Sequence, residues 1–114
     1  MLVDVTEEML IAHEETFGLV AAILCFDDEA EFLARANDSE MGLAAYVYAQ
    51  DLNHAMRLND RLEYGMVGVN TASFGGAPIP FGGWKQSGLG REESRHGVDD
   101  YMELKYVCFG NLAG

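Results

Sequence analysis

Two stretches of this 114-residue chain hold side chains whose types and spacing can do chemistry. In Glu14-Glu15-Thr16-Phe17-Gly18 a carboxylate stands two positions before an aromatic ring. Such a carboxylate can accept hydrogen bonds from sugar hydroxyls while the ring packs on a flat heterocycle. The same spacing more often describes an exposed acid beside a core phenylalanine. The second stretch runs from Pro80 to Glu92, Pro-Phe-Gly-Gly-Trp-Lys-Gln-Ser-Gly-Leu-Gly-Arg-Glu, with four glycines in thirteen positions. Glycine at that density marks backbone that turns sharply or approaches other groups too closely for a Cβ. Phe81 on such a loop can line an apolar pocket, or it can simply anchor the loop to the core. Glu92 can relay protons if burial raises its pKa toward neutrality, although an Arg-Glu-Glu triplet is more often surface charge or the start of a helix. Lys85 reads as structural, bonding loop carbonyls.

The elements that must position these residues follow from periodicity. Leu2 to Val5 is a short candidate strand, and Thr6 is a candidate cap for a short helix toward Ala12. Leu19 to Phe26 is an unbroken apolar run of eight, which predicts a strand buried on both faces. Asp28 and Glu31 stand at capping-box spacing at the head of a helix over about 28–37, with Ala30, Leu33, Ala34 and Asn37 as its inward stripe. A second strand is expected over Leu43 to Ala49. Asp51 then caps a longer helix with Leu52, Ala55, Met56 and Leu62 on one face, and Gly65 is placed to end it. Met66 to Asn70 is a third apolar strand. Residues 71–90 form a long loop, Arg95 to Asp100 a short helix, and Tyr101 to Phe109 a last strand. Strand, helix, strand, helix, strand implies right-handed crossovers: an α/β fold with a mainly parallel sheet and flanking helices.

Composition bounds the partners. The formal net charge is −12, and residues 1–63 carry nearly all of it, with 14 acids against Arg35, Arg57 and Arg61. A surface of that sign repels nucleic acid and anionic lipid, so neither is expected as a partner. No apolar run approaches the roughly 20 residues that cross a bilayer. No basic segment followed by an apolar core opens the chain, so no leader peptide is expected and the reading is cytoplasmic. Cys25 and Cys108 fall in apolar runs and are expected to be reduced and buried. His13, His54 and His96 are scattered, and no zinc-site spacing is present. Gly88-Leu89-Gly90 lacks the third glycine of a dinucleotide fingerprint.

Three separated motifs in order, EETFG at residues 14–18, PFGGWKQSGLGRE at 80–92 and YMELKYVCFG at 101–110, resemble the C-terminal part of NAD(P)-dependent aldehyde dehydrogenases, and within them the succinate-semialdehyde branch. The resemblance implies a partial catalytic domain over residues 1–100 and an oligomerisation strand and tail over 101–114. It implies that Glu15 holds the nicotinamide ribose, Phe17 contacts the nicotinamide ring, Phe81 lines the aldehyde tunnel, and Glu92 is a supporting proton relay. The family usually has proline after the EETFG glycine; Leu19 stands here and loosens that turn. Where the succinate-semialdehyde branch carries a substrate-binding serine, Gly75 and Gly76 stand, with Ser73 displaced.

The family's nucleophilic cysteine, general-base glutamate and cofactor domain belong to polypeptide upstream of the matched stretch. The chain alone is therefore expected not to oxidise aldehydes. NAD or NADP is the family's cofactor, and whether this chain binds either stays open. A homo-oligomer is expected. A stand-alone oligomerisation or binding module without enzymatic activity is the alternative reading.

Overall fold

Asp28 sets the first regular helix of the computed structural model, which describes residues 1–73 and 75–111. Its carboxylate accepts from the Glu31 N–H at 2.8 Å, and the Glu31 carboxylate accepts in turn from the Asp27 N–H at 3.1 Å. This reciprocal cap starts α1, Glu29–Asn37. The inward stripe of α1 is Phe32, Leu33 and Ala36; Ala30 and Ala34, expected inside, face outward. A short strand β1, Met41–Gly42, and then β2, Ala44–Val47, follow. Asp51 caps α2, Leu52–Arg61, by accepting from the Asn53 N–H at 2.9 Å. Ala55, Leu58 and Leu62 are the buried residues of that region, whereas Leu52 and Met56, expected beside them, are exposed.

The chain then enters β3, Met66–Val69, which pairs in parallel with β2 in the register Ala44↔Met66 to Val47↔Val69. Strand β2, helix α2 and strand β3 thus form one crossover unit. Its core is Leu33, Val47, Ala55, Leu58 and Leu62, with Phe32, Tyr64 and Val67 packed at its border. Last of the strands is β4, Trp84–Lys85, which pairs antiparallel with β1 so that Gly42 faces Trp84 and Met41 faces Lys85. Among the described residues the strands form two two-stranded ladders, one parallel and one antiparallel.

The two expected flanking strands do not form. Leu19 to Phe26 makes a parallel bridge between Ala22 and Leu2 and is otherwise irregular, with Leu19 fully exposed and Phe26 half exposed. A strand buried on both faces needs a ladder on each edge and a layer on each side; here residues 2–5 bond along one edge, and α1 touches only the end, through Arg35 to the Cys25 carbonyl and Phe32 to Phe26. Residues Tyr101 to Phe109 begin at the end of a 3-10 helix, Arg95–Tyr101, and continue with no strand through residue 111. Extended backbone becomes a strand only against a partner ladder. Residues 112–114 of the expected tail lie outside the described residues. Near the start, Leu10–Ala12 is a single 3-10 turn in place of the helix expected from Thr6. The Thr6 hydroxyl instead donates to the Glu8 carboxylate at 2.5 Å and holds its pKa below the usual value.

The outline is long, 79 × 31 × 26 Å. The radius of gyration is 20.1 Å, against about 13 Å for a compact domain of this length. The accessible surface is 9253 Å², roughly 3,000 Å² more than a compact monomer of this mass presents. No described helix is long and apolar enough to cross a membrane.

Candidate functional site

The glycine-rich loop is docked against the crossover unit. Gly65 is the reason it can come so close, since a Cβ there would run into the Gly82 carbonyl oxygen and lie 2.8 Å from the Gly83 Cα. Gly65 therefore serves close approach; α2 already ends at Leu62, whose N–H closes the last turn on the Leu58 carbonyl at 3.0 Å. The Gly65 N–H donates to the Gly42 carbonyl at 2.9 Å, and the Gly42 N–H donates to the Ser87 hydroxyl at 2.9 Å. Gly82 is a second close approach: a Cβ there would lie 2.7 Å from the Gly90 carbonyl oxygen.

Folding back on itself, the loop brings Phe81 and Glu92 together. They exchange both backbone hydrogen bonds, Phe81 N–H to the Glu92 carbonyl at 3.0 Å and Glu92 N–H to the Phe81 carbonyl at 2.7 Å. Arg91 closes the turn from inside, its Nη1 donating to the carbonyls of Gly83 at 3.0 Å and Gly90 at 2.6 Å. The result is a cleft of about 460 Å³ whose wall includes Leu43, Phe81, Leu89, Arg91, Glu92 and Tyr101. Phe81 is 37% exposed at its edge. A ring beside one bonded guanidinium and the carboxylates of Glu92, Glu93 and Asp100 can present an apolar contact and polar groups to a small molecule.

The other two sequence-predicted residues lie elsewhere. Glu15 is exposed, Phe17 is 88% exposed, and neither lines this cleft. A dinucleotide needs a cradle of backbone donors and packed surface. Glu15 and Phe17 on their own, facing solvent, make none. Cys25 and Cys108 are both exposed, not buried as their apolar surroundings suggested, because the runs that carry them do not form strands within a sheet. Among the described residues no group of three or more His, Cys, Asp or Glu could hold a metal ion. Sequence reading missed Arg91 as the brace of the loop. It also missed Asn37, which it placed only on a helix stripe. The signal for Arg91 was its place directly after Gly90, where carbonyls crowd a tight turn.

Residues 1–107 match the aldehyde dehydrogenase family. The chain belongs to that family. It is 53% identical to the 3-sulfolactaldehyde dehydrogenase of Pseudomonas putida over 112 residues, which are 98% of this chain and 23% of the relative. To the mitochondrial succinate-semialdehyde dehydrogenase of Homo sapiens it is also 53% identical, over 98% of this chain and 21% of the relative. In three dimensions it superposes on a solved NADP-dependent enzyme of E. coli with a TM-score of 0.90 and 51% identity, covering 96% of this chain and 23% of that one. The chain thus spans less than a quarter of the length of these aldehyde dehydrogenases.

Proposed function

We propose that this chain is the C-terminal part of the catalytic domain of an NAD(P)-dependent aldehyde dehydrogenase of the succinate-semialdehyde type, in a mainly parallel sheet that other family polypeptide completes. The observation that carries this reading is the folded Pro80–Glu92 loop, which sets Phe81 and Glu92 at one cleft in a chain of that family. Phe81 offers the apolar wall on which an aldehyde's carbon chain rests. Glu92, exposed beside it, takes up and returns a proton in support of a base located elsewhere. Glu15 and Phe17 contribute one edge of a nucleotide site, for ribose and nicotinamide, whose other contacts come from polypeptide outside this chain. The group bound there would accept hydride, and the residues present form no cradle for it by themselves.

By this reading the 114 residues do not turn over aldehyde by themselves. Purified chain with succinate semialdehyde and either NAD or NADP is expected to show no nucleotide reduction. A rate that persists after Cys25→Ser and Cys108→Ser together would overturn the reading.

The large exposed apolar surface favours a second reading, a homo-oligomerising module, with residues 101–114 as the strand and tail that pair with another copy. Leu104 is fully exposed, and Tyr106 and Phe109 are at least four-fifths exposed, more than isolated apolar residues explain. Nicotinamide-cofactor titration separates the two: binding supports a residual dehydrogenase site, and no binding together with a stable oligomer supports the module. In either case the proposed setting is cytoplasmic.

A further inference from the structure

Lys85 has a backbone φ of 53°, in the left-handed region that a non-glycine residue occupies only when its surroundings insist. Its ammonium is tied to two other segments. Nζ donates to the Asn37 carbonyl at 2.7 Å and pairs with the Glu63 carboxylate at 2.8 Å, and the side chain is only a quarter exposed. Asn37 is the last residue of α1, so its carbonyl is one that the helix leaves unbonded, at the negative end of the helix dipole. The Asn37 side chain ties the same point to the α2–β3 turn. Its Oδ1 accepts from the Glu63 N–H at 2.9 Å and its Nδ2 donates to the Arg61 carbonyl at 2.9 Å. Three segments, the end of α1, residues 61–63 and the glycine-rich loop, therefore meet at one cation. Immediately beyond it, the Gln86 N–H donates to the Glu40 carbonyl at 2.9 Å and the Ser87 hydroxyl accepts from Gly42.

We infer that Lys85 is a positioning residue: through Asn37 and Glu63 it clamps the glycine-rich loop in the fold that holds Phe81 against Glu92. Trp84 is half exposed and Leu89 fully exposed, and the four glycines give the loop wide conformational freedom. A charge-assisted bond to a helix-end carbonyl combined with an ion pair is the strongest polar tie between this loop and the rest of the chain. That the clamped cleft serves an aldehyde rests on the function proposed above; the clamp itself does not.

Amide hydrogen exchange on the full chain, read residue by residue, tests the inference. Lys85→Met is expected to speed exchange at the Phe81, Gln86 and Glu92 amides by about tenfold, because a partly shielded charge-assisted tie is lost. The Asn70 and Leu62 amides, bonded within the crossover unit, are expected to keep their wild-type rates. Glu63→Gln, which keeps an acceptor but removes the charge, gives a smaller change at the same three loop amides. Lys85→Arg restores a cation of similar reach and brings their rates back. Acrylamide quenching of Trp84, the only tryptophan in the sequence, rises in Lys85→Met and returns in Lys85→Arg. Unchanged loop amides in Lys85→Met overturn the inference. So does a rise shared equally by Asn70 and Leu62, which would make Lys85 a general stabiliser. An arginine variant that behaves like the methionine one overturns it as well. None of these readouts needs aldehyde or dinucleotide, so a failed turnover or titration result strikes only the proposed function.

Discussion

The crossover unit, residues 44–69, and the outlying segments, residues 14–26 and 102–111, have similar apolar content and opposite fates. In the first, Val47, Ala55, Leu58, Leu62 and Met66 are buried, and β2 and β3 pair along their whole length. In the second, Phe17, Leu19, Leu104, Tyr106 and Phe109 are four-fifths to fully exposed, and the backbone makes little regular pairing. The difference teaches that apolar sequence buys burial only where the chain also supplies the facing surface. The crossover unit carries its own cover in α1 and α2. The outlying segments have no such cover among the described residues, so their apolar side chains stay in solvent.

Substitutions at four positions test this contrast. The largest effect is expected inside the unit. Leu58→Ala leaves a cavity and is expected to cost about 2–5 kcal/mol in urea unfolding followed by circular dichroism. Gly65→Ala comes next, because its methyl meets the Gly82 carbonyl. A loss of about 1–3 kcal/mol is expected, with faster exchange at the Phe81 and Glu92 amides. Asp28→Ala removes the cap of α1 and is expected to lower stability by about 1 kcal/mol, whereas Asp28→Asn holds most of it. Smallest of all is Leu104→Ala, expected to stay within about 0.5 kcal/mol in the same urea experiment. The same variant is expected to reduce self-association in light scattering. Should Leu104→Ala unfold the chain as Leu58→Ala does, the division into a self-covered unit and uncovered segments fails.

How far the sequence could be read follows the same division. Asp28 with Glu31, and Asp51 before Leu52, announced both long helices, since a cap is a local hydrogen bond decided within four residues. The β2–α2–β3 crossover was equally legible from its alternation of element types. The inward stripes were less so. Ala30 and Ala34 matched the helical period as well as Phe32 and Ala36, and only packing against Tyr64 and the sheet chose between them. Leu19 to Phe26 and Tyr101 to Phe109 misled because an apolar run records the environment a segment prefers and not the neighbours it has. At the cleft, Phe81 and Glu92 were picked out by type, but their backbone pairing was not visible, since it depends on how the ten intervening positions fold. The clamp at Lys85 draws on Asn37, nearly fifty residues away, which no local pattern reports.

The docking of the glycine-rich loop against Gly42 and Gly65 has a consequence for the order of assembly. Pairing β3 with β2 joins residues 22 positions apart, with a helix in between to shorten the search. Pairing β4 with β1 joins Gly42 to Trp84, about twice as far along the chain, which adds roughly 0.6 kcal/mol of closure entropy. Its seat, the Gly42–Gly65 hydrogen bond, exists only once β2 and β3 are in register. The cleft is therefore expected to take shape after the crossover unit and to open before that unit melts.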